Sequence, residues 1–75
     1  MFYTVVRQFI VGGKETHSME MKDTLMEAQK RYFSIIATDL ANADVTYQAT
    51  YIIDSNGLMV EGRVFNRGES EVENA

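Results

Sequence analysis

Hydrophobic and polar residues divide the chain into two strand pairs with one helical segment between them. Residues 2–11 are rich in β-branched and aromatic side chains, which favour a strand. This run ends at Gly12-Gly13, a pair that tolerates the positive φ angles of a tight hairpin turn. A second, more polar strand is predicted over residues 14–21, so the chain is expected to begin with a β-hairpin.

The middle segment, residues 25–41, carries apolar side chains at helical spacing and polar ones mostly on the opposite side. Thr24 and Glu27 have the spacing of a capping box, in which each side chain satisfies a backbone N–H group of the first turn. We therefore predict an amphipathic helix over residues 25–41. Asn42 follows it as an expected left-handed cap.

The clearest turn signal is Asn56-Gly57, which predicts a second hairpin closed by a type I′ turn. In that register Tyr51 faces Gly62, a residue that would leave room for the tyrosine ring. One face of the hairpin is then more apolar than the other, and we expect the helix to cover it. Its members are Val45, Tyr47, Ala49, Tyr51, Ile53, Val60 and Val64.

The order ββαββ predicts an α+β fold, in which a four-stranded, mainly antiparallel sheet has one amphipathic helix packed on one face. We expect residues 1–67 to form a single domain and residues 68–75 to be a disordered acidic tail. The register of the first hairpin stays open. Val6 faces Met19 if both glycines are central, but the first strand is apolar on both sides, and a one-residue slip would exchange its faces.

Size and composition favour self-association. A chain of 75 residues builds only a small core, and this one has no cysteine and one histidine, so disulfides and a metal are not expected to support it. We therefore expect a homodimer. We expect no cofactor. Residues 1–13 do not resemble a secretory signal, and no run approaches the ~20 apolar residues of a membrane span, so a soluble cytoplasmic protein is expected.

Charge argues against strong nucleic-acid binding. The net charge is −4, and Glu69, Glu71 and Glu73 of the tail supply three of the eleven acidic residues, whereas all seven basic residues precede the tail. The body is therefore nearly neutral. A strong nucleic-acid binder normally has a basic surplus or a basic stripe that neutralises phosphates.

Catalytic motifs are weak. The fragment GGKET lacks the first glycine and the hydroxyl residue after lysine that a phosphate-binding loop needs, so we interpret it as a turn. His17 shares a strand face with Glu15, which would allow proton transfer, but neither a nucleophile nor further metal ligands accompany them. The spacing of four further carboxylates does not predict a catalytic or metal-binding pair: Asp39, Asp44, Asp54 and Glu61. We therefore expect a protein that is not an enzyme.

A surplus of apolar side chains on the uncovered side of the sheet favours an interaction surface. We expect this surface to comprise Ile52, Met59, Phe65, Arg63 and Glu61. The chain is then a small protein-interaction module that binds itself and an unidentified protein partner, as a dimeric regulator or inhibitor. Phage and other mobile elements carry many proteins of this size, so an inhibitor of a host defence nuclease is one hypothesis for its role.

The alternative function is a weak nucleic-acid-binding module, in which aromatic side chains stack on bases and arginines contact phosphates. The residues expected on that surface are Tyr3, Arg7, Phe9, Arg63 and Phe65. A small-ligand carrier or enzyme that uses His17 is the least favoured class.

Overall fold

The structure, a computed structural model, describes residues 1–66 and has the predicted ββαββ order. Its elements are β1 (Tyr3–Val11), β2 (Lys14–Lys22), α1 (Leu25–Ala41), β3 (Val45–Asp54) and β4 (Met59–Asn66). The strands form one antiparallel sheet in the order β2-β1-β3-β4, and α1 packs on it. The α+β prediction is therefore confirmed. The predicted tail, residues 68–75, lies outside the described residues.

The first hairpin has the register in which both glycines are central. Gly12 and Gly13 have φ angles of 59° and 79°, and Val11 pairs with Lys14 on either side of them. Val6 therefore faces Met19, as the two-residue turn requires. This places β2 at one edge of the sheet, beside the central strand β1.

Helix α1 begins and ends at the predicted residues. The backbone of Thr24 is extended, and its hydroxyl oxygen accepts a hydrogen bond from the Glu27 N–H at 3.2 Å, which caps the first turn. The predicted left-handed cap at Asn42 is wrong. Asn42 has φ −93°, and its side-chain oxygen accepts from the Asp44 N–H at 3.0 Å, so an Asx turn leads the chain into β3.

The second hairpin keeps the predicted register along most of its length but not at its turn. Tyr51 faces Gly62, as predicted, yet Ile53 pairs with Met59, so Val60 is an extra residue in a bulge. The type I′ prediction is wrong because Gly57, at φ 85°, is the one residue of this turn with a positive φ.

Asp54 explains the different turn. Its carboxylate accepts from the N–H groups of Asn56 at 2.9 Å and Leu58 at 3.0 Å, and its carbonyl oxygen accepts from the Gly57 N–H at 2.9 Å. These bonds stabilise a three-residue loop with glycine in the left-handed position, a common alternative to the two-residue turn.

The core lies between α1 and the sheet face that carries Val5 and Ile52, which face each other across β1 and β3. The helix contributes Ala28, Tyr32, Ile35 and Ile36 to this cluster, and Tyr3 and Leu25 pack at its border. The prediction that α1 covers the Tyr51 and Val60 face is therefore wrong. The helix covers the opposite face, which we call the covered face.

Polar contacts explain why the helix lies there. Asp39 of α1 is 1% exposed and accepts from both Nε and Nη2 of Arg7 on β1, at 3.0 and 2.5 Å. On the β2 side of the helix, the Arg31 Nε donates to Glu20 at 2.7 Å. The distribution of apolar residues along β3 and β4 gives no information about these ion pairs. The pairs can form only when the helix packs on this side of the sheet.

Among the described residues, no helix is long and apolar enough to cross a membrane.

Candidate interaction surface

The sheet face turned away from α1 has no covering layer among residues 1–66, and we call it the open face. Strand pairing places its members in four rows that run across all four strands. From one end of the sheet to the other, the rows are Met21, Thr4, Ile53 and Met59; Met19, Val6, Tyr51 and Gly62; His17, Gln8, Ala49 and Val64; and Glu15, Ile10, Tyr47 and Asn66.

The open face is apolar, and the side chains of its two edge strands are strongly exposed. Met19 is 69% exposed, and Met21, Met59 and Val64 are each more than half exposed. Of all the residues in the four rows, Glu15 alone is formally charged at neutral pH, and it lies at a corner. Large apolar patches of this kind are uncommon on isolated soluble proteins and usually mark a contact surface.

Close packing orders the centre of the open face. A Cβ atom added at Gly62 would meet the ring of Tyr51 and the sulfur of Met59, each at 2.9 Å. The predicted role of Gly62, to leave room for Tyr51, is confirmed. The tyrosine ring therefore lies across β4 and contributes a broad apolar surface where a smaller residue would leave a gap.

The two apolar rows and the two more polar rows form separate halves of the open face. The half that begins with Met21 and Met19 contains no charged or amide side chain. The other half contains His17, Gln8 and Glu15, which line a hollow of about 290 Å³ together with Ile10 and Tyr47. Polarity thus changes along the strands, from one end of the face to the other.

The hollow brings His17 and Glu15 together, as their shared strand face predicts. Its volume is at or below the ~300–1,000 Å³ of ordinary ligand sites. Within residues 1–66, no group of three or more His, Cys, Asp or Glu side chains could hold a metal ion. The arrangement supplies one imidazole beside one carboxylate at the rim of an apolar face.

The five residues predicted for the interaction surface do not form one surface. Ile52 is 0% exposed beneath the helix, and the Glu61 carboxylate accepts from Gln29 of α1 at 3.3 Å. Arg63 is exposed and Phe65 half-buried, and both belong to the covered face. Met59 alone lies on the open face. The correction follows from the reversed face assignment, since neighbouring residues of a strand point to opposite sides.

The residues predicted for nucleic-acid contact are also on the covered face. Tyr3 packs against the core, and the guanidinium of Arg7 is held by Asp39 while it lies 3.8 Å from the centre of the Phe9 ring. Arg7 is therefore committed to an ion pair within the fold. Arg63 and Phe65 lie on β4 in the same two rows as Arg7 and Phe9, with β3 between the two pairs.

Two side chains at the contact between α1 and the covered face have shifted pKa values. Burial raises the pKa of the Tyr32 hydroxyl, and the nearby Glu61 carboxylate adds to that shift. The hydrogen bond from Arg31 lowers the pKa of the Glu20 carboxyl. Both shifts come from contacts between α1 and the sheet.

No protein-family model, curated protein or solved structure matches the chain. The geometry of the described residues is therefore the basis for any functional assignment.

The open face could have been found from the sequence through β2. Met19 and Met21 alternate with polar residues on this strand, which places both on one side. The first hairpin joins them to Val6, and the apolar residues of β3 could then have been assigned to the same side. The helix-facing polar residues Arg7 and Glu20 would have been the second signal.

Proposed function

We propose that this chain is a non-enzymatic protein-interaction module and that the open face is its contact surface. The observation that carries the proposal is an apolar face with exposed large side chains on its two edge strands and a single formal charge at a corner. Burial of such a surface against a protein is favourable at roughly 25 cal/mol per Å² of apolar area. A module of this kind acts as a regulator or inhibitor through the protein complex that this face assembles.

Side-chain chemistry supports a protein target. Methionines at three positions of the face adapt their shape to a partner because their side chains are unbranched and flexible. Tyr51 adds a rigid aromatic ring, and aromatic residues and Met are enriched at the centres of protein interfaces. Phosphate binding would instead need cations, and the open face has no lysine or arginine.

The proposal is tested by capture of the tagged full chain from its native cell, with the bound proteins compared between two variants. Met19→Glu places a charge on the open face, and Met26→Glu places the same charge on the outer side of α1, where the exposure of the native methionine is nearly equal at 67%. We expect the first variant to lose the bound protein and the second to keep it. If the captured protein is an untagged copy of the same chain, it is scored as a bound protein in this comparison.

Far-UV circular dichroism and thermal melting of both variants establish that the fold persists. If the two variants bind the same proteins in the same amounts while folded, the open face is not the contact surface and the proposal fails.

A further inference from the structure

We infer that the partner of the open face is a second copy of this chain, packed sheet to sheet about a two-fold axis that runs along the strands between β1 and β3. The inference rests on the proposed function, because it names the occupant of the same face. The helices of the two copies then lie on the outside of a four-layer assembly. Three observations carry it: the area of the face, its charge, and the separation of its apolar and polar halves.

The area is sufficient for a specific interface. Four strands about 4.8 Å apart and eight residues at about 3.4 Å per residue make a face of roughly 500 Å² in plan. Two such faces together reach about 1,000 Å², the size at which a specific protein interface becomes plausible. Sheets stack at about 10 Å with their side chains interdigitated, so the accessible area removed from water exceeds the plan area.

Charge permits the face to meet its own copy. Like charges that oppose each other across a buried interface are destabilising, and most charged surfaces therefore reject their own copy. On the open face Glu15 lies at the β2 edge, so a two-fold axis along the strands carries it to the opposite edge of the second copy. There it faces Asn66 of that copy, whose amide can donate to the carboxylate.

The separation of the two halves selects the direction of the axis. An axis along the strands keeps each row at its own level, so the rows of Met21 and Met19 meet the same rows of the second copy. An axis across the strands would instead place Glu15 against Met21 of the second copy, whereas His17 and Gln8 meet apolar residues under either axis. A buried carboxylate without a partner is costly, so the axis along the strands, which brings Glu15 to Asn66, is favoured.

The small core gives the association a physical reason. The buried apolar side chains number eight among the described residues, and the chain has no cysteine for a disulfide. Domains of this size commonly gain the stability that their core lacks from a partner subunit. A second sheet on the open face would bury Met19, Val6, Tyr51 and Ile53 and would turn one side of the sheet into a second core.

The first test is sedimentation equilibrium of the full chain between about 1 and 100 µM, a range over which a moderately tight dimer assembles by mass action. We expect a mass of about 17 kDa, twice the chain mass of 8.5 kDa. Met19→Glu should raise the dissociation constant about 10- to 100-fold, because each interface then buries two unpaired carboxylates. Met26→Glu should leave it unchanged.

A monomer at every concentration overturns the inference, and so does a dimer that Met19→Glu leaves intact. Neither result decides the proposed function, which fails only if the captured proteins are the same for both variants. Suppose that the chain is a monomer and that Met19→Glu abolishes capture of a protein. The proposed function would then stand, and the second copy would be excluded as the occupant of the open face.

The second test addresses the two-fold axis. Met21 and Met59 occupy the same row at opposite edges of the sheet, so the proposed axis places Met21 of one copy against Met59 of the other. Met21→Lys and Met59→Glu should each weaken the dimer when tested alone. An equimolar mixture of the two variants should restore it, because lysine then meets glutamate across the interface.

The lysine and the glutamate are on different chains of the mixture, so the rescue requires contact between copies. Within one chain the two positions are three strand spacings apart, roughly 14 Å. A mixture that stays as weakly associated as its components overturns the proposed axis. The matched control is a mixture of Met59→Glu with the wild-type chain. No lysine is present in this mixture, so the charge pair cannot form.

Discussion

The covered face and the open face of one sheet contain opposite kinds of side chains. The covered face combines Val5 and Ile52 with charged residues, of which three have a partner on the helix: Arg7, Glu20 and Glu61. The open face is apolar over its centre and has its single formal charge at a corner. Helix placement in this fold therefore follows polar complementarity as well as apolar area.

The largest expected difference concerns two adjacent isoleucines that point to opposite faces. Ile52→Ala removes a fully buried side chain beneath α1 and should lower the free energy of unfolding by about 2–5 kcal/mol. Ile53→Ala, on the open face, should cost about 1 kcal/mol or less when the chain is monomeric. Urea unfolding in a Met19→Glu background measures both changes without a contribution from association.

Equal losses at the two positions would contradict the assignment of the faces. A larger loss for Ile53→Ala would mean that the helix covers the Tyr51 side, as the apolar pattern alone predicts.

The next effect is the loss of an ion pair between the covered face and the helix. Asp39→Ala leaves the largely buried guanidinium of Arg7 without its carboxylate, and we expect a loss of about 3 kcal/mol in the free energy of unfolding. Glu20→Ala removes the more exposed partner of Arg31 and should cost less than about 1 kcal/mol. Thermal unfolding in parallel with urea titration measures both values.

If Asp39→Ala is as mild as Glu20→Ala, the helix is not held to β1 by this pair. Arg7→Met in the Asp39→Ala background provides the control, since it removes the stranded charge and should restore part of the stability.

A smaller effect is expected at the centre of the open face. Gly62→Ala would bring a methyl group against Tyr51 and Met59, and overpacking of this kind costs about 1–3 kcal/mol. The cost should fall in a Tyr51→Val background, because the ring is then absent. A double-mutant cycle from urea unfolding measures this coupling. Costs that are independent of residue 51 would show that the tyrosine does not lie across Gly62.

The smallest effect is a pH dependence on the covered side. Arg31 lowers the pKa of Glu20 in the folded chain, so the unfolded state binds more protons at this site in mildly acidic solution. The resulting stabilisation is present above the unfolded pKa and is lost as the pH falls through the folded pKa. Glu20→Gln should therefore show a shallower loss of stability on acidification than the native chain. Arg31→Gln should also reduce the slope, but by less, because Lys22 still lowers the pKa of Glu20. An unchanged slope in both variants would contradict the contact.

Much of the fold follows from local sequence signals. The glycine turn at residues 12–13, the Thr24 cap of the helix and the facing of Tyr51 with Gly62 are local or register effects, and each is confirmed. The Glu27 half of the predicted capping box differs, since its carboxylate accepts from the Thr24 hydroxyl. The strand order and the helix side depend on contacts between distant residues such as Arg7 and Asp39. A periodicity of two identifies the two faces of a strand but does not say which face a helix covers.

The sequence predicts that one apolar face of the sheet stays uncovered, but it assigns the wrong residues to that face. An apolar sheet face without a covering helix is expected from the amount of apolar side chain in the strands, and the structure has such a face. Its residues differ because the whole hairpin is turned over relative to the helix, which moves Ile52 inside and Tyr51 outside. The turn around Asn56 differs from the predicted type I′ turn because of Asp54. Its carboxylate accepts hydrogen bonds from the backbone N–H groups of Asn56 and Leu58 and so stabilises the three-residue loop.

The most direct test of the account uses the methyl groups of the methionines, observed by NMR as a soluble paramagnetic agent is added. Met19, Met21 and Met59 lie on the open face, whereas Met26 lies on the outer side of the helix with comparable exposure. The account predicts that the three open-face methyl groups become protected from the agent as the protein concentration rises, while Met26 stays accessible. Equal accessibility of all four methyl groups at every concentration would contradict it.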